Sequence, residues 1–193
     1  MIYTAKKDGE NWILVDDESE VLAKAKIQFK NKNAYGKIKL FDKEIGILYN
    51  SLSFKNNREH IKLTDGKQIN DTVYRNKHFD KKHGFYYNYY LRWCGQSYLM
   101  QCVNQKNSRS IIYIYQNKQI ICVMESISSR QYEIIDIFLG NDDYLDVAFI
   151  ALTSLQIYKH NKKLGVSNYA PAPLNNSDTE FIYRVKTKFL RES

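Results

Sequence analysis

Proline is nearly absent from this chain of 193 residues, with two, and glycine is sparse, with eight. That scarcity argues against disorder and low complexity. Long apolar runs are missing too. No stretch of eighteen apolar residues exists, so no transmembrane helix is expected. The opening MIYTAKKDGENW lacks the apolar run and small-residue cleavage site of an export signal. Cysteine is limited to Cys94, Cys102 and Cys122, with no CxxC. An odd count in apolar runs points to reduced, buried thiols and a cytoplasmic location.

Motifs of known chemistry are lacking as well. There is no GxSxG, no GxxxxGK[ST] and no GxGxxG, so neither a nucleophile elbow nor a phosphate cradle is encoded. No catalytic residue and no cofactor are assigned. His78 and His83 lie five apart in HFDKKH. Lys81 and Lys82 between them repel cations, so the segment reads as a solvated loop. Asp136, Asp142, Asp143 and Asp146 cluster before a helix but do not follow the twelve-position calcium loop. Asp142 and Asp143 read as helix caps, Asp146 as a carboxylate bonded to a nearby donor, and no metal is expected.

What the chain has in plenty is aromatic and basic residues. It carries sixteen Tyr, nine Phe and a formal net charge of +8. The charge has a functional reading, attraction to phosphates of nucleic acid or of an anionic membrane face. It also has a plain one. Lys, Asn, Ile and Tyr share AT-rich codons, which suggests base composition in an AT-rich, bacterial source. The basic residues are scattered, with no polybasic run.

Up to about residue 138 the dominant pattern is alternation. Val21, Ala23, Ala25, Ile27 and Phe29 form one face of a strand, and Lys24, Lys26 and Gln28 the other. Tyr35 to Phe41 alternates again, with Lys37 and Lys39 outward, and Asp42-Lys43 turns it into Glu44 to Tyr49 as a hairpin. Trp12 to Val15 is a short strand before them. Residues 50 to 83 are polar, with short strands expected at Ile61–Leu63 and Thr72–Arg75. Phe85–Trp93, Ser97–Val103, Ser110–Tyr115, Gln119–Glu125 and Tyr132–Phe138 follow as strands. FYYNYYLRW, from Phe85, reads as sheet packing. Its rival reading is a stacking platform for single-stranded nucleic acid across Tyr86 to Trp93.

Asp142 to His160 is the one strong helix, and its apolar residues fall on nearly every side. A helix of that kind is enclosed by protein when it is too short to span a bilayer. The expectation is a mainly β domain over 1–160, a closed or strongly curved antiparallel sheet around helix 142–160. Residues 161–193, with Pro171 and Pro173, form an extended arm that packs on the domain or adds an edge strand.

Gln119 to Tyr158 reads strand (QIICVMES), turn, strand (QYEIIDIF), acidic turn (GNDD), apolar helix (YLDVAFIALTSLQIY). That succession resembles the tubby C-terminal-like superfamily, which includes tubby proteins, scramblases and LURP-one-related proteins. The resemblance covers roughly 11–160. It implies a barrel of about twelve strands around a central hydrophobic helix, and for the tubby branch, phosphoinositide binding by basic residues on the barrel. No matching motif carries those residues over.

The function expected is a non-enzymatic binding or scaffold module. Its ligand would be an anionic lipid headgroup or a protein partner. Lys24, Lys26, Lys37 and Lys39 are the candidate contacts, with Arg75, Lys81 and Lys82 secondary. The alternatives are the nucleic-acid platform and an enzyme with a pocket at a barrel mouth.

Overall fold

The computed structural model describes residues 2–30, 33–49, 60–64, 71–80, 84–104, 110–128 and 133–163. Twelve strands follow one another in antiparallel order. They are β1 (Ile2–Asp8), β2 (Asn11–Val15), β3 (Val21–Lys30), β4 (Asn33–Leu40), β5 (Lys43–Tyr49) and β6 (His60–Thr64). Then come β7 (Asp71–Asp80), β8 (Gly84–Trp93), β9 (Gln96–Asn104), β10 (Ser110–Gln116), β11 (Gln119–Ser128) and β12 (Glu133–Leu139). Each pairs with its neighbours in sequence, and β1 pairs with β12 from Ile2↔Phe138 to Lys6↔Ile134. The sheet therefore closes into a barrel, which removes every free edge. No edge remains in it for a further strand.

Helix α1 (Leu145–Lys163) runs inside this wall, introduced by a 3-10 turn at Asp142–Tyr144. Its Val147, Ala148, Phe149, Ile150, Ala151, Leu152 and Ile157 are all buried, and they join one cluster with the inward residues of the strands. Nineteen residues rise about 28 Å, the length of a small domain. The wall supplies that cluster by alternation. On β3, Ala23, Ala25 and Ile27 are buried while Lys24, Lys26 and Gln28 are exposed. On β4, Ala34, Ile38 and Leu40 are buried while Tyr35, Lys37 and Lys39 are exposed.

Thr153, Tyr158 and Asp146 on the helix find partners, whereas the buried Ser154 hydroxyl has none among the described residues. Thr153 Oγ1 donates to the Phe149 carbonyl at 2.7 Å, a bond back to the preceding turn. Tyr158 donates its hydroxyl to the Val73 carbonyl on β7 at 3.0 Å, and its ring lies against Tyr49 and Tyr89. Trp93 Nε1 donates to Asp146 Oδ2 at 2.7 Å, which ties the first turn of α1 to the end of β8.

Several boundaries differ from the sequence reading. The sheet begins at Ile2, not near Trp12. Only Tyr3 and Ala5 face inward on β1, too few to raise a visible alternation. β7 is ten residues long and includes His78, which had read as part of a solvated loop. The helix extends through Asn161, Lys162 and Lys163, which had been given to the arm. Cys94 is exposed in the β8–β9 turn at φ 49°, not a buried strand thiol. Cys122 is buried, and burial pushes its thiol up from the ordinary range.

Candidate anion-binding face

The outward side of β3 and β4 is a surface that the alternation alone could not assemble. Register puts Lys24 directly opposite Lys39 and Lys26 directly opposite Lys37. Opposed Cβ atoms lie ~5 Å apart across a ladder, and alternate residues ~7 Å apart along a strand. Four ammonium groups therefore share one small square on an exposed wall. Gly36 keeps the two strands close at this point. A Cβ there would run into the Lys26 carbonyl oxygen and the Ile27 backbone.

One of the four is paired. Lys37 Nζ meets Glu44 Oε1 on β5 at 2.6 Å, with both side chains well exposed. An exposed pair of that kind contributes little to stability. Among the described residues no ion pair involves Lys24, Lys26 or Lys39. Like charges directly opposite one another destabilise a ladder by roughly 0.2–1 kcal/mol a pair.

The same register extends the face in both directions. Lys6 on β1 stands opposite Ile13, which stands opposite Lys24. Lys62 on β6 stands opposite Leu48, which stands opposite Tyr35. Tyr35 and Leu48 are 45% and 49% exposed, an apolar pair beside the lysines. Sequence reasoning missed Lys6 and Lys62. Lys62 did carry a signal, since it alternates with the buried Ile61 and Leu63.

The remaining candidates do not join this square. Arg75 lies on β7, in register with Tyr89, and β5 and β6 separate β7 from β4. Lys81 and Lys82 lie outside the described residues, as does His83.

The aromatic strand is divided by its pleat. Tyr89, Leu91 and Trp93 are buried in the core cluster, and Trp93 is committed to Asp146. Tyr90 stacks on Tyr74 across the β7–β8 ladder, with centroids 5.1 Å apart and planes at 15°. Half of the imagined stacking platform thus faces the helix rather than solvent.

The acids at the mouth where α1 begins are spent on structure. Asn141 caps the 3-10 turn by accepting from the Asp143 amide at 3.1 Å. Asp142 Oδ1 accepts from the Tyr3 hydroxyl at 2.6 Å. Burial, then that bond to a carboxylate, pushes the Tyr3 hydroxyl well above its usual range. Tyr98 is raised too, by burial and then by the charge of Asp146. Thr4 donates to Asp136 at 3.4 Å. Among the described residues no group of three or more His, Cys, Asp or Glu is placed to hold a metal ion. Nor is any helix among them long and apolar enough to cross a membrane.

Comparison with protein-family models, with curated proteins and with solved structures finds no match to this chain.

Proposed function

We propose that this protein is a non-enzymatic binding module whose β3–β4 lysine square engages anionic lipid headgroups. The observation that carries the reading is the pair of opposed lysines, Lys24↔Lys39 and Lys26↔Lys37. Such pairs destabilise the free sheet, and a bound phosphate relieves them. Each lysine near an anionic surface contributes ~1 kcal/mol, so with Glu44 offsetting Lys37 the cluster contributes about 3 kcal/mol, on the order of a hundredfold in affinity. Tyr35 and Leu48 beside the square suit the boundary between headgroup and acyl chain, where amphipathic and apolar side chains settle.

Membership of the tubby C-terminal-like superfamily belongs to the same proposal. A closed twelve-strand barrel around one C-terminal helix supports it. So does a basic face on the barrel. A cytoplasmic setting belongs to it also, supported by an odd count of three cysteines with no CxxC.

The test is flotation of the purified chain with phosphatidylcholine vesicles, with and without phosphatidylserine. Binding is expected only with the anionic lipid, falling as salt rises. Changing Lys24, Lys26, Lys37 and Lys39 together to Glu should abolish it while leaving the barrel folded. No binding at low ionic strength, where attraction is strongest, sinks the proposal. Equal binding by the fourfold variant sinks the assignment to this face.

A further inference from the structure

Apolar side chains exposed singly on a surface need no explanation, but an exposed apolar pair ringed by one sign of charge marks a contact surface. Tyr35 and Leu48 make such a pair. They stand directly opposite one another on the outward side of β4 and β5. Cations occupy the positions around them. Lys62 stands opposite Leu48 on its other side. Gln28 on β3 stands opposite Tyr35, which puts Lys26 and Lys30 on the two diagonals, within reach of long side chains. Lys37 is the next outward residue along β4. All four lysines are exposed. Among the described outward residues of β3–β6, Glu44 is the one acid, and Lys37 holds it.

Curvature sets how these groups would meet a plane. Twelve strands divide the circumference into steps of ~30°, so β3 to β6 span about a quarter of the turn. Tyr35 and Leu48 lie at the crest of that arc. Lys24, Lys26 and Lys30 lie on one flank and Lys62 on the other. The two most exposed apolar residues, Val21 at 60% and Phe41 at 58%, sit elsewhere. They lie together at the barrel end where α1 begins, the Phe41 amide donating to the Leu22 carbonyl at 3.3 Å. Acids hold that rim. Asp16, Asp17, Glu18 and Glu20 precede Val21, and Asp42 follows Phe41. An anionic surface attracts the arc and repels the rim.

We infer, resting on the reading that the lysine square engages anionic lipid, that the barrel docks on its side. Tyr35 and Leu48 enter the boundary between headgroups and acyl chains, and Lys26, Lys30, Lys37 and Lys62 meet phosphates around them. Tyr35 keeps its hydroxyl among the headgroups while its ring is buried. The lysine stems lie along apolar surface and leave their ammonium groups in the polar layer.

The test places tryptophan at the two competing contact points, against the background of the buried Trp12 and Trp93. The vesicles are phosphatidylcholine with phosphatidylserine. On them Leu48→Trp should shift its emission to the blue and be quenched by bromine carried on the acyl chains. Phe41→Trp should do neither. Tyr35→Ser with Leu48→Ser alters no charge. That double variant should bind about tenfold more weakly, for the apolar area withheld from the membrane, with its salt dependence unchanged. A vesicle-bound chain whose Leu48→Trp stays unquenched overturns the inference and leaves the lysine–lipid reading standing. Quenching at Phe41→Trp overturns it too, because the barrel then stands on its rim. No flotation of the unaltered chain overturns both.

Discussion

On β3 and β4 the outward positions read Lys24, Lys26, Lys37 and Lys39, all exposed. On β10 and β11 they read Ile111, Tyr113, Tyr115 and Val123, all buried. Both surfaces are the far side of one pleated wall, and both enclose the same helix. The difference lies in what each is left to meet. The lysine face is exposed, with like charges opposed across its ladder. The aromatic face has already been covered. A single barrel thus carries a wet side and a dry side, and alternation is clean only on the wet one.

The sharpest way to break this comparison is to place the same charge on both sides. Tyr113→Asp should destabilise the protein by about 3 kcal/mol, the range for an unpaired charge brought under cover. Lys39→Asp should leave stability within about 0.5 kcal/mol, since the position is exposed and the relief of Lys24 is offset by Glu44 opposite on β5. Denaturant midpoints check both, and equal losses would erase the distinction.

Gly36→Ala tests the wet side without altering its charges. The added methyl collides with the Lys26 carbonyl oxygen and forces β3 from β4. A loss of about 2–3 kcal/mol is expected, as for other overpacked sites. Thermal melts measure the loss, and vesicle binding should weaken with the spread of the square.

Alkaline titration tests the mouth where the dry and wet sides meet. Tyr3 and Tyr98 have their hydroxyls raised in the folded chain above the usual 10.0. The folded state therefore holds its protons where the unfolded state loses them. Their contribution is complete below pH 10 and is lost as pH rises beyond it. Stability should be flat up to that point from these groups and fall above it, and Tyr3→Phe should make the fall shallower.

The smallest effect is also the most specific. Lys26→Gln should stabilise the free protein by about 0.5 kcal/mol, because it ends the opposition to Lys37. The same change should weaken vesicle binding and flatten its salt dependence. A loss of stability instead would mean that the pair is not under strain.

The helix was legible because Val147 to Ile157 is apolar on nearly every side, which leaves enclosure as the physical solution. Strands β3 and β4 were legible as separate strands from Lys24, Lys26, Lys37 and Lys39 alternating with buried Ala25, Ile27 and Ile38. Their meeting as opposed pairs was not. Register depends on turn geometry and on the whole ring, and nothing within either strand states it. β1 was missed because two inward residues make no period. The length of β7 was missed because Arg75, Asn76, Lys77 and His78 are polar at successive positions. The dry outer face went unread for a different cause. Ile111 to Tyr115 is apolar on both sides, and such a run says that a strand is covered twice without saying by what.

Closure between the first strand and the last has a consequence for how the chain is made. Ile2 finds Phe138 only after every intervening strand exists, and α1 comes later still. A nascent chain therefore holds β1 with one side unpaired until β12 is made, and an apolar hollow with nothing in it until α1 follows. Contacts so distant in sequence form slowly. The interval before the helix arrives is when this protein is most exposed to its neighbours, and a chaperone has its widest opening to act.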